Sequence, residues 1–426
     1  MINLISVFCV YTKLETVSEK TLIGRLRRYF LIYFETFSVP TADSLFLLIL
    51  SILALESAHS IRFLYHHFLS GITKRSLNVF YYACSYAKVD YSNFMNITAR
   101  TALKLIPDPL KSHPVFLCID DTMVSKFGKK FENVSKLFDH AAHNGSNYLN
   151  GHCFVSIMLC VPVLDHDKIS YLSVPLGYRM WQKKESKLEL AASMIHQVMP
   201  EFLSKEHVII LCDSWYTKKN LVSVIDEYPN LDLIGNARID SVMYDLAPTR
   251  TGRRGRPAKH GKRLCVETDF TFSKEKIGDY YTGVRRVLTK IFGNREVLAY
   301  VTDTEKGNGT KRLFFSTIFP EDLKVFCTEE HSSSDQTEHV PINYIPLLLY
   351  AFRWKIEISY YGQKTFWSFC DYMVRSRNGI EMLVNLINIS YCAMKILPYQ
   401  DKYFSKYHTK SVQEFRFELS QEIRKQ

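Results

Sequence analysis

The sequence predicts an α/β fold, in which a mixed sheet with flanking helices is interrupted by a β-rich insertion and preceded by an all-helical N-terminal domain. Apolar residues recur at helical spacing as far as about residue 110. From residue 114, short apolar runs typical of buried strands alternate with amphipathic segments, and between 240 and 340 strand-like runs continue without a helical pattern. The 426 residues, 47% of them hydrophobic, suit two or three domains with a substantial core.

The helical N-terminal domain is predicted over residues 1–110. Its most apolar window, LFLLILSILAL (45–55), is too short to span a bilayer and predicts a buried helix. Residues 70–87 predict a turn followed by a helix, which fits either a DNA-binding helix-turn-helix or an ordinary helical bundle. The first residues have no charged region before their apolar run, so we expect no secretory signal. Ten cysteines without a CxxC pair favour a reduced, cytosolic setting.

The first part of the α/β core is predicted over residues 111–239. Two aspartates are notable there, because Asp120 and Asp213 each stand at or near the end of an apolar strand. A carboxylate in such a place is costly unless it is paired, hydrogen-bonded or bound to a metal. Strand-like runs lie at 115–120, 152–164, 169–181, 207–216 and 231–238, and helical patterns at 184–199 and 217–228. This order of elements predicts a sheet of mixed direction.

Residues 240–340 are predicted to form a β-rich insertion that begins with a basic loop. The segment TRTGRRGRPAKHGKR (249–263) has seven Lys or Arg and no acidic residue. Gly and Pro keep an Arg-Gly-Arg-Pro core extended, which suits the minor groove of A·T-rich DNA. A solvated basic loop with general affinity for phosphates is the alternative. The candidate DNA-binding residues of this loop are Arg253, Arg254, Arg256 and Lys259.

The second part of the core, predicted over residues 341–398, contains the stretch YAFRWKIEISYYGQK (350–364). At about 100° per residue, one narrow sector of a helix carries Tyr350, Arg353, Glu357 and Lys364. The i, i+4 pair of Arg353 and Glu357 also fits a salt-bridged surface. A single carboxylate among two cations and a phenol suits a site that handles phosphate groups. The polar residues 399–426 are predicted to be a peripheral tail.

Asp120, Asp213 and Glu357 are three carboxylates that a folded sheet can bring together. Each aspartate alone is more often structural, because strand-ending Asp residues commonly begin turns. Together, oxygen ligands of this kind suit Mg²⁺ or Mn²⁺, and two such ions would activate a water or a 3′-hydroxyl at a phosphodiester. The formal net charge of +11 and the pI of about 9.0 favour an anionic partner, most often nucleic acid.

The same residues carry a resemblance to a known family. The spacing of Tyr350, Arg353, Glu357 and Lys364 is similar to the tyrosine–arginine–glutamate–lysine (YREK) signature of a group of bacterial insertion-sequence DDE transposases. The stretches IDDT, CDSWY and YAFRWKIE resemble the motifs around that family's three acidic residues. The longer interval, between Asp213 and Glu357, resembles a ribonuclease H-like core interrupted by a β-rich insertion. The resemblance covers roughly residues 110–395.

The resemblance implies a catalytic and metal-binding triad of Asp120, Asp213 and Glu357 with two Mg²⁺ ions, for which Mn²⁺ substitutes. It implies that Tyr350, Arg353 and Lys364 contact phosphates at the transposon ends. The reaction would be nicking at the element end followed by strand transfer into target DNA. The implied partners are double-stranded terminal inverted repeats and target DNA, bound by a dimer in the bacterial cytosol without a membrane. Family members that excise through a DNA hairpin can stack a flipped base on a Trp of the β insertion. No Trp lies between residues 240 and 340 here, and hairpin and non-hairpin excision both stay open.

Several alternatives remain open at this stage. Asp121 is a rival for Asp120, although the Thr two positions after Asp120 favours the latter. A catalytically inactive, transposase-derived DNA-binding protein and a standalone ribonuclease H-like nuclease are the rival functions. A zinc site at Asp139, His140, His143 and His152 is disfavoured because no cysteine completes the ligand set. Lys183, Lys184 and Lys187 are expected to form a solvated helix face.

Overall fold

The structure is a computed structural model that describes residues 20–57, 60–128, 130–139, 147–165, 168–249, 256–293, 295–306, 309–319, 321–322 and 342–425. All strands within these ranges belong to one mixed sheet. They are β1 (Val115–Ser125), β2 (Ser135–Phe138), β3 (Tyr148–Asp165), β4 (Lys168–Met180), β5 (Val208–Cys212), β6 (Leu231–Ala237), β7 (Met243–Tyr244), β8 (Arg263–Leu264), β9 (Tyr281–Thr289), β10 (Glu296–Asp303) and β11 (Lys311–Ser316).

The helices precede the sheet, interrupt it and follow it. They are α1 (Leu22–Leu31), α2 (Val39–Ala54), α3 (Ile61–Leu64), α4 (Ser70–Ile72), α5 (Leu77–Tyr86), α6 (Tyr91–Leu103), α7 (Lys187–Val198), α8 (Lys219–Val222), α9 (Ile345–Leu349), α10 (Trp354–Phe366), α11 (Arg377–Gln400) and α12 (Val412–Arg424). The apolar window at 45–55 lies almost wholly in α2, whose residues from Ala42 to Ala54 are buried. Short 3₁₀ turns extend several of these helices.

The sheet has a parallel centre and antiparallel sides. β1 pairs in parallel with β5, and β5 pairs in parallel with β6. On one side β3 is antiparallel to β1, and β4 is antiparallel to β3. On the other side β11 is antiparallel to β6 and is followed in order by β10, β9, β7 and β8. The β-rich segment therefore extends the same sheet beyond β6.

Helix α11 covers β4, the strand that pairs only with β3. The Asn385 side chain accepts a hydrogen bond from the Tyr178 N–H (3.0 Å) and donates one to the Tyr178 carbonyl (2.9 Å). Glu381 Oε1 accepts from the Met180 N–H at 2.8 Å. These side chains satisfy backbone groups of β4 that no strand reaches. α11 is long and apolar enough to cross a membrane, but 94% of its most apolar window is buried inside the protein.

The expectation of a peripheral tail at residues 399–426 is wrong. Helix α12 begins at a capping box formed by Ser411 and Glu414. It buries Phe415, Leu419 and Ile423 against α2 and α11. Three apolar residues at helical spacing are enough to give a polar segment one buried face.

Arg416 of α12 ties this helix to the N-terminal helices. Its Nη2 donates to the carbonyl oxygens of Ile52 (2.9 Å) and Leu55 (2.7 Å). Its guanidinium carbon lies 4.1 Å from the centroid of the Trp367 ring. Burial lowers the pKa of Arg416 to about 10. The N-terminal helices, the core and the C-terminal helix thus share one continuous hydrophobic core.

The mixed α/β prediction is confirmed, and the domain boundaries stay predictions. Two segments differ from the sequence interpretation. Residues 217–228, expected as one helix, contain only α8 and a 3₁₀ turn at Ser223–Glu227. Strand β2 had no predicted counterpart, because a four-residue polar strand carries no clear alternation.

Candidate active site

Asp120 and Asp213 lie side by side at one end of the parallel strands. The register of β1 and β5 places Ile119 opposite Cys212, and each aspartate is the next residue along its chain. Adjacent strands are about 4.8 Å apart, so the two carboxylates share one edge. β1 continues to Ser125 beyond the end of β5, so Asp120 stands where its neighbouring strand stops rather than at its own strand's end.

Asp213 also organises the turn after β5. Its Oδ1 accepts hydrogen bonds from the backbone N–H groups of Trp215 (3.0 Å) and Tyr216 (3.2 Å). Burial raises the pKa of the Asp213 carboxyl, and these two N–H groups oppose that effect. The turn-forming role expected of a strand-ending Asp is therefore present. Its Oδ2 makes no hydrogen bond to any residue in the described part of the chain, so one oxygen remains for a ligand.

The carboxyl group of Asp120 is strongly perturbed. Burial, followed by the charge of Asp213, raises the pKa of Asp120 to about 7. Its Oδ1 accepts from the Asp121 N–H at 2.8 Å, and its Oδ2 lies 3.3 Å from Arg353 Nη1. A buried acid beside a second acid marks a candidate functional site.

Glu357 is linked to the aspartates through Arg353. Arg353 Nη2 donates to Glu357 Oε1 at 2.5 Å, while Nη1 contacts Asp120. Although burial disfavours the charge on Arg353, Tyr350, Glu357 and Asp120 together raise the pKa of its guanidinium. A regular α-helix was expected over this stretch, but Tyr350–Arg353 form a tighter 3₁₀ turn between α9 and α10. One cation therefore joins the first and third predicted carboxylates.

A cleft of about 400 Å³ opens between the Asp213 turn and the β-rich segment. The Tyr350 ring forms one side of it, packing edge-on against Phe314 of β11 at 4.9 Å between centroids. Burial raises the pKa of the Tyr350 phenol, so the hydroxyl stays a neutral hydrogen-bonding group. The polar lining also includes Asp213, Arg353, Asn236 and Arg312. The β-rich segment thus supplies one wall of the candidate site.

Asp121, the rival first acid, is already engaged in a separate network. Successive residues of a strand point to opposite faces. Asp121 Oδ2 accepts from Lys187 Nζ (2.7 Å) and from the Cys153 thiol (3.1 Å). Its Oδ1 accepts from the Tyr216 hydroxyl at 3.0 Å. This arrangement favours Asp120 as the acid that is available to a ligand.

The expectation of a solvated lysine face is wrong for Lys187. Lys183 and Lys184 are exposed, but the Lys187 side chain is only 15% exposed. Lys187 is the first residue of α7, which starts at the capping box of Ser186 and Glu189 and packs on β3. Although its burial opposes the charge, Asp121 raises the pKa of Lys187. The capping box can be read from the sequence, whereas the contact with Asp121 cannot.

The other predicted DNA contacts lie apart from the carboxylates. Lys364 Nζ donates to the Met123 carbonyl of β1 at 2.9 Å, and burial lowers its pKa. Arg256 and Lys259 are exposed in the loop that leads to β8. Five strand steps separate β5 from β7 in the sheet, which is roughly 24 Å at ~4.8 Å per step. Arg253 and Arg254 lie outside the described residues.

His152 belongs to the core rather than to a ligand set. Its Nδ1 is 2.7 Å from the Tyr372 hydroxyl, and its Nε2 is 2.8 Å from the carbonyl oxygen of Glu132. Burial lowers the pKa of His152, so the ring stays neutral. His140 and His143 lie outside the described residues.

The donor atoms of the site suit a hard divalent cation. Among the described residues, no group of three or more His, Cys, Asp or Glu side chains is placed to hold a metal ion. Mg²⁺ usually binds through one or two carboxylates together with water and substrate phosphates. Asp120 and Asp213 supply such a pair, and a cation would relieve the repulsion that raises the pKa of Asp120. The residues present therefore fit Mg²⁺ or Mn²⁺.

Sequence reasoning did not select two residues near the site. Tyr216 is fully buried and connects the Asp213 turn to Asp121. Its position within the CDSWY stretch was a usable signal. Arg312 lines the cleft from β11, and no sequence signal identified it, because its neighbours depend on the order of strands in the sheet.

Comparison with known proteins finds a related family for part of the chain. Residues 80–280 match the family model described as DDE superfamily endonuclease. The matched part contains Asp120, Asp213 and the turn after β5, and it ends before Glu357. No curated protein matches the chain significantly. The similarity supports a nuclease or transposase of the DDE type, and the mixed α/β sheet is consistent with it.

Proposed function

We propose that this protein is a DNA transposase that nicks the ends of an insertion sequence and joins them to target DNA. The adjacency of Asp120 and Asp213, with Glu357 linked to Asp120 through Arg353, carries the proposal. Asp120 and Asp213 lie on adjacent parallel strands, and Arg353 links Glu357 to Asp120. The similarity of residues 80–280 to DDE superfamily endonucleases supports the same chemistry.

Finer features support the YREK transposase group. Tyr350 and Arg353 line one cleft with Asp213, as residues that contact the phosphates of transposon ends would. The strand order β3-β1-β5-β6, with β3 antiparallel to its neighbour, supports a ribonuclease H-like core. The proposed partners are the terminal inverted repeats and target DNA, bound by a dimer in the bacterial cytoplasm.

Asp120, Asp213 and Glu357 would hold two Mg²⁺ ions, with Mn²⁺ as a substitute. When bound, the ions would supply an activated water or 3′-hydroxyl and stabilise the leaving oxygen of the phosphodiester. The chain's own groups position the substrate. Arg353 is held beside Asp120 and offers a rigid cation to a phosphate oxygen. The Tyr350 hydroxyl supplies a neutral hydrogen bond at the cleft.

A protein that binds DNA without cutting it is the second candidate. The observation that favours it is the double contact of Arg353, which neutralises both Asp120 and Glu357 with an internal cation. In a cutting enzyme, substrate and metal would have to compete with that cation.

Cleavage and joining of DNA that carries the element ends, in Mg²⁺ or Mn²⁺, would test the proposal. Asp213→Asn and Glu357→Gln are expected to bind the ends but to form neither nicked nor joined products. Asp108→Asn and Glu418→Gln are matched controls, because they change exposed carboxylates that pair with surface lysines, and they should retain activity.

Each remaining outcome selects a different function. End binding without any cleavage by the parent protein would establish the non-cutting alternative. Cleaved ends without joined products would indicate a standalone nuclease. Full activity in both Asp213→Asn and Glu357→Gln would show that the site lies elsewhere.

A further inference from the structure

We infer that a basic cleft beside the Asp213 turn is a second subsite for the backbone phosphates of DNA. This inference rests on the proposed function and extends its substrate contacts. The cleft has a volume of about 270 Å³ and lies where the turn after β5 meets the end of β6 and the 3₁₀ turn at Lys290–Phe292. Its cationic lining comprises Lys218, Lys219, Arg238 and Lys290.

The charge of this cleft is not neutralised by the protein itself. No carboxylate lines it. Among the described residues, Lys218, Lys219 and Lys290 have no salt-bridge partner, and only Arg238 has one, in Asp240 at 2.8 Å. Both members of that pair are largely exposed, so water screens the interaction and a phosphate can compete for the guanidinium.

Hydroxyl groups complete a lining that suits phosphate oxygens. Ser214, Thr217 and Ser241 lie among the cations. The Thr217 hydroxyl is used within the turn, where it donates to the Asp213 carbonyl at 2.9 Å. Ser214 and Ser241 remain as additional hydrogen-bond donors for an anion.

The basic cleft adjoins the candidate active site. Ser214 lines both this cleft and the cleft that contains Asp213, Tyr350 and Arg353. A DNA strand held by Arg353 on one side of Asp213 would therefore meet Lys218 on the other side. Contacts of this type fix the position of the backbone without reading its sequence.

Another cleft with a cationic lining differs, because a carboxylate also lines it. A cleft of about 490 Å³ has a charged lining that comprises Arg25, Arg28, Lys402 and Asp401. There, Arg25 contacts Asp401 at 2.8 Å and Arg28 contacts it at 3.5 Å. Asp401 therefore offsets part of the positive charge of this cleft, and we expect a weaker attraction for DNA there. The cleft beside Asp213 is therefore the stronger candidate for binding DNA phosphates.

The test is the salt dependence of duplex DNA binding by the full chain without divalent metal. Each phosphate contact contributes about 0.9 to the slope of log affinity against log salt concentration on duplex DNA, and about 0.7 on a single strand. The double substitution Lys219→Gln, Lys290→Gln should make this slope shallower by about 1.8 on duplex DNA. If the cleft holds an unpaired strand, the slope should become shallower by about 1.4. Affinity at low salt should fall at least tenfold, with an unchanged melting temperature.

Two further variants keep the test specific. Lys219→Arg combined with Lys290→Arg retains the charges and should retain the parent slope. Lys104→Gln combined with Lys205→Gln removes two exposed lysines near the opposite ends of β1 and β5. This matched control should leave the slope unchanged, because those residues lie away from the Asp213 edge.

The outcomes separate this inference from the proposed function. If the Lys219→Gln, Lys290→Gln variant kept the salt dependence of the parent protein, the phosphate subsite would be overturned and the transposase proposal would still stand. An equal loss in the Lys104→Gln, Lys205→Gln control would also overturn it, since net charge alone would explain the effect. Absence of DNA binding by the parent protein would overturn both.

Discussion

The guanidinium of Arg353 reaches the carboxylate of Asp120, 3.3 Å away and 233 positions earlier in the chain. The contact joins the second half of the chain to the centre of the sheet. It places a permanent cation at an acid whose pKa is raised by burial and by Asp213. An incoming phosphate or metal would therefore have to replace one partner of an existing ion pair.

Arg353→Lys is expected to lower the rate of DNA cleavage by roughly 100-fold, because a lysine ammonium cannot bridge two acids with a planar fork. DNA affinity should change much less, since the charge is kept. Cleavage rates at saturating DNA would measure the effect. Arg100→Lys is the matched control, because Arg100 also donates two hydrogen bonds to carboxylate oxygens, but both go to Glu201 and the guanidinium is exposed. Full activity of Arg353→Lys would show that the bridging geometry is not used.

Asp120→Asn is expected to stabilise the metal-free protein at pH 8. The pKa of Asp120 is about 7 in the folded protein and about 3.9 in an unfolded chain. Protonation of Asp120 therefore stabilises the folded protein. This stabilisation is complete below the pKa of the unfolded state and is lost as the pH rises through the pKa of the folded state. The substitution should raise the unfolding free energy by on the order of 4 kcal/mol at pH 8, and by less at pH 5. Denaturation in chelator at both pH values measures this.

Asp121→Asn is the matched comparison for that experiment, and the opposite sign is expected. The change leaves the buried ammonium of Lys187 without its carboxylate. A cost of about 1–3 kcal/mol is typical when a buried polar group loses its partner. If both variants shift stability in the same direction at pH 8, the assignment of a raised pKa to Asp120 is wrong.

Divalent metal is expected to raise the melting temperature of the parent protein. A ligand at 100 times its dissociation constant stabilises the folded state by about 2.7 kcal/mol. Mn²⁺ or Mg²⁺ titrations, followed by thermal unfolding, should show a saturable shift that Asp120→Asn and Asp213→Asn each abolish. A shift of equal size in both variants would place the metal at other ligands.

Arg416→Leu is expected to destabilise the protein by on the order of 3 kcal/mol, because the carbonyls of Ile52 and Leu55 lose their buried donor. Denaturant unfolding would measure the loss. Lys410→Leu, on the surface before α12, is the control and should change stability little. A neutral result for Arg416→Leu would mean that α12 contributes little to the fold.

The sequence predicted elements better than the contacts between them. β5 and α11 could be identified from the sequence, because each coincides with an apolar run whose ends are clear. The adjacency of Asp120 and Asp213 depends on the register of two strands far apart in the chain, which no local pattern encodes. Lys187 was misjudged for the same reason, since its partner, Asp121, lies on another element. The tightened turn at Tyr350–Arg353 also had no local signal.

Asn385 closes the β4 edge of the sheet to other chains. Its amide engages both the N–H and the carbonyl of Tyr178, the groups through which an added strand would pair. Two copies of the protein therefore cannot join by extending their sheets through this part of β4. Side-chain surfaces or another part of the sheet are left for that contact, and the same protection opposes edge-to-edge aggregation.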